Sequence, residues 1–334
     1  NIFDYINCNN ERIHKYGPHL LHCNVNSKGL AFLSRFTDWI HYEHRVRALL
    51  KDGRTTPLPI NKITLQDIYG ISFKNEDEVK NFLNKIRNKS LNPKNTDEFF
   101  EANVGNELAN IFFRPYTKKM WGLDIEELSP KILARVPIRD DLNDLYFPDD
   151  KYQFMPKHGY TEMVRKILDH EKITVFLNKS FCKSMEENYD HIFSAQPIDE
   201  YYDFKFGELP YRSIKFKNSV LNFPALLPVP TVNFTNDGKY TRVTEWKKYP
   251  NHGQNEYQTI LTFEEPCDYK DNNFERYYPV KDVNGSNREL YEKYQKIKNS
   301  KVTFIGRCGL YVYLDMHQAI NSSLATAMRF IQKS

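Results

Sequence analysis

The 334-residue chain carries 47 Lys and Arg against 43 Asp and Glu, so it lacks the basic field that binding to DNA or RNA requires. No run of 18 apolar residues and no leader-like first segment is present, and we therefore expect neither a membrane span nor a signal peptide, but a cytoplasmic protein. Its five scattered cysteines form no C-x-x-C pair, which favours reduced thiols over disulfides or a zinc site.

The first 60 residues combine turns with short extended runs. A Gly-Pro turn at Gly17 separates two apolar stretches, and it is followed by His19 and His22. Two histidines without a third ligand nearby are more typical of hydrogen-bonded structural groups than of a metal site, so we expect no metal. Residues 35–50 alternate as strands do, and an Asp52-Gly53 turn leads into a proline-stiffened extended run.

Residues 61–130 have a helical pattern. Residues 76–88 place Val79 and Leu83 on one helix face, with Asn75 as the N-cap. Further short helices are predicted at 96–103 and 106–113, with apolar side chains directed to a shared core. Ser129-Pro130 predicts a last short helix that leads into Arg135. We interpret this region as a helical insert domain.

The remaining chain predicts a mixed α/β fold. A helix from Thr161, a buried strand at 173–176 and a strand from His191 suggest an α/β layer, whereas 211–261 alternates with period two, as in an antiparallel sheet. The end predicts a helix at 289–298, a strand at 302–305, a Gly306-Arg307 loop and a final helix near Asp315 that packs on the α/β layer. The start of a helix after such a loop can bind an electron-rich group.

Standard catalytic motifs are missing, since the sequence contains no Walker A loop, G-x-S-x-G, H-E-x-x-H or G-x-G-x-x-G. What remains is a dispersed set of Arg, Tyr and Trp side chains. Two arginines from different domains could clamp a diphosphate, with tyrosine hydroxyls at its far end. Composition alone favours the alternative, in which each Arg forms a weak surface ion pair and each Tyr fills the core.

The order of several segments carries a resemblance. The chain contains Y-T-K-K-M-W-G, L-A-R-V-P-I-R, P-I-D-E-Y-Y-D-F-K-F-G, Y-T-R-V-T-E, R-Y-Y-P-V and Y-L-D-M-H-Q in that order, and over its whole length it resembles the bacterial UDP-galactopyranose mutases. The resemblance implies interconversion of UDP-galactopyranose and UDP-galactofuranose through a reduced-flavin sugar adduct. It also implies FAD as cofactor, UDP-galactose or a related UDP-sugar as ligand, a place in cell-surface polysaccharide biosynthesis, and allows a homodimer.

Site residues follow from the same resemblance. The implied catalytic residues are Arg135, Arg242 and His22. Those implied to bind substrate are Phe112, Tyr116, Thr117, Trp121, Arg135, Tyr146, Arg212, Asn233, Arg242, Tyr278 and Tyr313. Those implied to bind the cofactor are Asn1, His19, His22, Gly306, Arg307, Tyr313, Asp315 and Met316.

One departure from the family bears on the cofactor. Family members begin with a strand and a G-x-G-x-x-G turn, whereas this sequence starts at the Asn of the turn that follows. We therefore expect an incomplete Rossmann-like FAD-binding domain (1–60, 159–203 and 281–334), a helical insert domain (61–130) and an antiparallel sheet that forms the substrate domain (131–158 and 204–280). Two alternatives stay open: an inactive homologue that only binds UDP-sugar, and a mutase for another UDP-sugar such as UDP-N-acetylgalactosamine.

Overall fold

The computed structural model describes residues 2–25, 27–89, 92–129 and 138–332, and it shows the predicted mixed α/β fold. The strands are β1 Asp4–Ile6, β2 Arg12–His14, β3 Leu21–Cys23, β4 Trp39–His41, β5 Val46–Leu49, β6 Thr55–Leu58, β7 Tyr152–Pro156, β8 Ile192–Ser194, β9 Tyr211–Leu221, β10 Thr231–Phe234, β11 Arg242–Glu245, β12 Thr259–Asp268, β13 Tyr278–Pro279 and β14 Val302–Phe304. The helices are α1 Lys28–Leu33, α2 Lys62–Tyr69, α3 Glu76–Ile86, α4 Thr96–Val104, α5 Asn106–Leu108, α6 Arg114–Trp121, α7 Tyr160–Leu168, α8 Ile198–Tyr201, α9 Ser286–Gln295, α10 Gly306–Gly309 and α11 Met316–Ile331.

The largest sheet in the described part of the chain has the strand order β13-β9-β12-β11-β10-β5-β6. Its pairs are antiparallel except for β10 and β5, which run parallel. The period-two segments between 211 and 261 supply β9 to β12, so the predicted antiparallel sheet is confirmed. This arrangement places β11 near the middle of the sheet, where its side chains are flanked by strands on both sides.

The helical region packs on one edge of this sheet. Apolar side chains of α2 to α5 and of residues 109–113 form a core with β5 and β6, and Leu65, Val79 and Leu108 are fully buried in it. The Asn75 side chain accepts a hydrogen bond from the Glu78 N–H, as its predicted N-cap role requires. The helix expected at 106–113 does not end there, because a π-helical turn at Ala109–Phe113 leads directly into α6. The predicted helix after Ser129 lies outside the described residues.

A three-stranded antiparallel sheet, β3-β7-β4, carries a separate core with α1 and α7. The final helix α11 adds Met316 and Ile320 to this core. Its second half does not pack as predicted, since Met328 is 49% and Ile331 is 71% exposed. None of the helices in the described ranges is long and apolar enough to cross a bilayer.

The strand predicted at 173–176 is wrong. These residues form no strand, and Val175 and Phe176 are 48% and 62% exposed. Strands β8 and β14 form a two-stranded parallel sheet to which the segment does not pair. An apolar run becomes a strand only when a neighbour accepts and donates its backbone hydrogen bonds, and the structure supplies none to this segment.

Candidate active site

The site is built around Arg242, the first residue of β11. Across the ladders, Arg242 lies opposite Asn233 on β10 and Glu264 on β12, so the three side chains form a row on one face of the sheet. Burial alone would lower the pKa of Arg242, but Glu264 and the hydroxyl groups of nearby tyrosines hold that pKa well above its usual value. Arg242 is therefore a permanent cation within the fold.

Tyrosine hydroxyl groups from three other elements converge on this cation. Arg242 Nη2 donates to Tyr116 Oη over 3.5 Å. Burial raises the pKa of Tyr146 to about 12, with Tyr116 and Tyr313 contributing and Arg242 opposing. The Tyr278 ring stacks on that of Tyr313, at 5.7 Å between centroids and 12° between planes. Tyr146 is therefore a neutral hydrogen-bond donor beside a fixed positive charge.

Helix α6, which carries Tyr116 and Trp121, is fastened to the sheet at two points. Lys119 Nζ donates to the carbonyl oxygens of Phe234 and Tyr240, each over 2.9 Å. Arg212 Nε donates to the Met120 carbonyl oxygen over 2.9 Å, at the C-terminal end of the helix where a cation is favoured. Arg212, which lies on β9, thus holds the C-terminal end of α6 against the sheet.

Three buried polar atoms in the row lack partners among the described residues. Asn233 Oδ1, Glu264 Oε1 and Arg242 Nε make no hydrogen bond, although Arg242 Nε does lie 3.3 Å from Glu264 Oε2. Asn233 itself is only 6% exposed. Buried polar groups are normally satisfied, so a cluster of unsatisfied ones is a physical indication of a missing ligand.

A second group of predicted residues lies beside this row. The Arg307 guanidinium is 4.5 Å from the centre of the Tyr313 ring and 5.3 Å from that of Tyr278. Burial lowers the pKa of His19 to about 4, with smaller contributions from Arg307 and Arg242. His19 is therefore a neutral ring near pH 7. The structure brings these predicted cofactor residues next to the predicted diphosphate residues.

His22 lies on β3 and is held by the turn that precedes β7. Its Nδ1 is 2.6 Å from Asp150 Oδ2, and its ring stacks on Phe147 at 3.7 Å between centroids. The His317 ring, at the start of α11, packs edge-to-face with it, at 5.7 Å between the ring centroids. His317 Nδ1 is buried and has no hydrogen-bond partner within the described ranges.

The other predicted residues take different positions. Phe112 and Thr117 are 3% and 1% exposed, and Phe112 belongs to the helical core. Asp315 caps α11 through a reciprocal pair with Gln318, and Met316 packs against the core below it. Gly306 begins α10 with φ +71. Trp121 approaches Tyr278, at 6.3 Å between ring centroids. Arg135 and Asn1 lie outside the described residues.

Sequence reasoning did not single out Glu264, Asp150, Phe147 or Lys119. Glu264 had no local signal, because the alternation of Leu261 and Phe263 places it on the other strand face, beside the polar Thr262. Asp150 and Phe147 had no local signal, since their partner His22 is 128 residues from Asp150 along the chain. These residues could be identified only from their contacts in the structure.

Comparison with protein families gives one clear match. A family model described as UDP-galactopyranose mutase matches residues 111–313. A probable UDP-galactopyranose mutase of Klebsiella pneumoniae is 32% identical over 333 residues, covering 96% of this chain and 82% of the relative. A dTDP-fucopyranose mutase of Escherichia coli is 30% identical over 345 residues, covering 98% of this chain and 89% of the relative.

Solved structures show the same fold. A reduced UDP-galactopyranose mutase superposes with a TM-score of 0.69 at 16% identity, over 97% of this chain and 87% of that one. A putative protoporphyrinogen oxidase from Exiguobacterium follows with a TM-score of 0.63 at 11% identity, over 100% of this chain and 90% of that one. At these identities the likeness concerns the fold, and the sequence relatives define the family.

Proposed function

Because this chain belongs to the UDP-galactopyranose mutase family, whose members are isomerases, we propose that it interconverts UDP-galactopyranose and UDP-galactofuranose. The observation that carries the proposal is the row of Asn233, Arg242 and Glu264, in which a permanent cation is surrounded by tyrosine hydroxyl groups and by unsatisfied buried polar atoms. A diphosphate supplies the charge and the acceptor atoms that this arrangement lacks.

Arg242 is the residue we assign to the diphosphate. Breaking the bond between the anomeric carbon and the diphosphate places negative charge on the departing oxygen, and a fixed guanidinium stabilises that charge without reorganising. The hydroxyl groups of Tyr116, Tyr146 and Tyr278 can donate to the same oxygens. Tyr116 and Trp121 also offer aromatic faces to the base and the sugar. Arg135 is the second arginine that the family resemblance assigns to this role.

For the cofactor we propose reduced FAD. The family resemblance assigns His19, His22, Arg307 and Met316 to the flavin, and the unpartnered His317 Nδ1 beside His22 fits a ligand with polar ring edges. When bound, a reduced flavin supplies a nucleophilic nitrogen for the anomeric carbon. The chain's own residues orient the sugar against it, exclude water and neutralise the diphosphate.

A second candidate substrate has a specific observation in its favour. The dTDP-fucopyranose mutase relative is almost as similar to this chain as the UDP-galactopyranose mutases are. A thymine base and a deoxygenated sugar would require the same diphosphate site, so the row of Asn233, Arg242 and Glu264 does not distinguish the two substrates.

A furanose nucleotide sugar is a donor for glycosyl transfer, which is why we place the reaction before the assembly of a cell-surface polysaccharide.

The test is turnover by flavin-loaded protein. The purified protein is incubated with FAD, its flavin content is measured by absorbance, and dithionite is added with UDP-galactofuranose. We expect UDP-galactopyranose to form, as measured by anion-exchange chromatography, and no product without dithionite. dTDP-fucofuranose and UDP-N-acetylgalactofuranosamine are assayed in parallel, and faster conversion of either would reassign the substrate. UDP binding without any turnover by flavin-loaded protein would overturn the mutase proposal in favour of an inactive homologue.

A further inference from the structure

The contact between His22 and Asp150 is built into the fold. His22 Nδ1 and Asp150 Oδ2 are 2.6 Å apart, and the two side chains are only 15% and 24% exposed. The Phe147 ring covers one face of the imidazole, at an angle of 11° between the planes. The contact therefore restrains both the position of the His22 ring and its rotation.

A buried amide fixes the turn that carries Asp150. Gln153 lies opposite His22 in the β3–β7 ladder and is 3% exposed. Its Nε2 donates to the carbonyl oxygens of Phe147 and Asp150, over 3.0 and 3.2 Å, while its Oε1 accepts from the His44 N–H over 3.2 Å. Asp150 is thus placed by a satisfied, buried network, and not by the free rotation of a surface side chain.

The contact has a chemical consequence for the imidazole. An ionised carboxylate can only accept a hydrogen bond, so a neutral His22 ring must carry its proton on Nδ1. Its other nitrogen, Nε2, makes no hydrogen bond to any residue in the described ranges. The lone pair of Nε2 is then the ring atom left for a ligand.

We propose that Asp150 is a positioning residue for His22, which holds the ring in the Nδ1–H tautomer and presents Nε2 as an acceptor to the bound ligands. The catalytic part of this inference rests on the mutase function and on His22 acting in it. The tautomer and the orientation rest only on the contacts of Asp150, Phe147 and Gln153.

The tautomer is measured directly by two-bond ¹H–¹⁵N correlation NMR on ¹⁵N-histidine-labelled protein. The NMR sample is prepared without flavin or nucleotide and is kept at about pH 8, where exposed imidazoles are neutral. His22→Gln identifies the resonance. We expect the Nδ1–H pattern in the unchanged protein, a rise of about threefold or more in the Nε2–H fraction in Asp150→Ala, and no change in Asp149→Asn, which removes a neighbouring exposed carboxylate.

An Nε2–H pattern in the unchanged protein would overturn the proposal without the need for any variant, even if Asp150→Ala fails to fold. The same holds if the pattern of folded Asp150→Ala matches that of the unchanged protein. In flavin-loaded protein we expect kcat to fall about 10- to 100-fold in Asp150→Ala, with KM changed less than about threefold. Absence of turnover in the unchanged protein would refute the mutase function and leave the tautomer result standing. A shifted tautomer with unchanged kcat would remove His22 and Asp150 from catalysis.

Discussion

Arg242 Nε lies 3.3 Å from Glu264 Oε2, and the two residues face each other across the β11–β12 ladder. Glu264 is 3% exposed, and its second carboxylate oxygen, Oε1, has no hydrogen-bond partner among the described residues. Burial raises the pKa of Glu264, although Arg242 acts in the opposite direction. The carboxylate therefore orients the guanidinium but also places a negative charge behind the site proposed for a diphosphate.

We expect Glu264→Gln to tighten UDP binding about three- to tenfold. The amide oxygen can occupy the same place beside Arg242 Nε, while the repulsion between the carboxylate and the diphosphate disappears. Calorimetric titration with UDP measures the change. Glu265→Gln is the matched control, because Glu265 pairs with the exposed Lys239 and should change the affinity less than about twofold. Weaker binding by Glu264→Gln would show that orientation outweighs repulsion.

Arg242→Ala should weaken UDP binding about 30- to 1000-fold, which corresponds to roughly 2 to 4 kcal/mol for the loss of a charge-assisted contact in a buried site. Flavin content, measured by absorbance after loading, should stay the same, since we assign this side chain to the diphosphate and not to the cofactor. Arg288→Ala serves as a control, because that arginine pairs with Glu292 on an exposed helix face. Loss of flavin with retained UDP affinity would show that Arg242 binds the cofactor and not the diphosphate.

Gly122 and Gly70 offer a matched pair. Both end helices in the left-handed conformation, with φ 67 after α6 and φ 65 after α2. A Cβ on Gly122 would lie 2.7 Å from Arg212 Nη1, whereas one on Gly70 would meet nothing within 4 Å. We expect Gly70→Ala to lower the free energy of unfolding by about 1 kcal/mol from backbone strain.

Gly122→Ala should cost about 1 to 3 kcal/mol more than Gly70→Ala, because Arg212 must give up its bonds to the end of α6. Urea unfolding measures both variants. Since Tyr116 and Trp121 lie on α6, Gly122→Ala should also weaken UDP binding, whereas Gly70→Ala should not. Equal losses of stability for the two variants would mean that Arg212 does not restrain the helix.

The buried pair His14 and His252 predicts a loss of stability in acid. Their Nε2 atoms are 3.0 Å apart, the His19 N–H donates to His14 Nδ1, and His252 Nδ1 donates to the Pro250 carbonyl oxygen. These bonds require both rings to be neutral. Burial lowers the pKa of His14 well below its usual value and that of His252 to about 4.

A pKa that is lower in the folded state means that the unfolded chain binds more protons, so this stability is complete above about pH 6.5 and is lost as the pH falls towards 4. We expect a loss of about 3 kcal/mol from His252 across that window, with a further loss from His14, measured by urea unfolding between pH 4 and 8. His252→Gln should flatten the dependence. Replacing His170, which lies in an exposed segment, should leave it unchanged.

Local patterns in the sequence determined the elements of this protein. Period-two alternation predicted β9 to β12, the 3.6-residue period and Asn75 predicted α3, and the ordered segments around Tyr116, Arg242 and Tyr313 pointed to the family. Each of these signals involves residues that are close along the chain, where spacing alone determines which side chains share a face. The strand expected at 173–176 was wrong because strand formation also depends on a distant partner.

Only the tertiary structure decided which residues meet. Arg242 contacts Tyr116 across 126 positions, and His22 contacts Asp150 across 128. Sheet register places Arg242 opposite Glu264 and His22 opposite Gln153, and it also decides whether a polar side chain such as Glu264 is buried or solvated. Composition had favoured weak surface ion pairs for the arginines, whereas Arg242 is largely buried. Because little water reaches it, the nearby carboxylate and hydroxyl groups dominate its electrostatic surroundings and keep it positively charged.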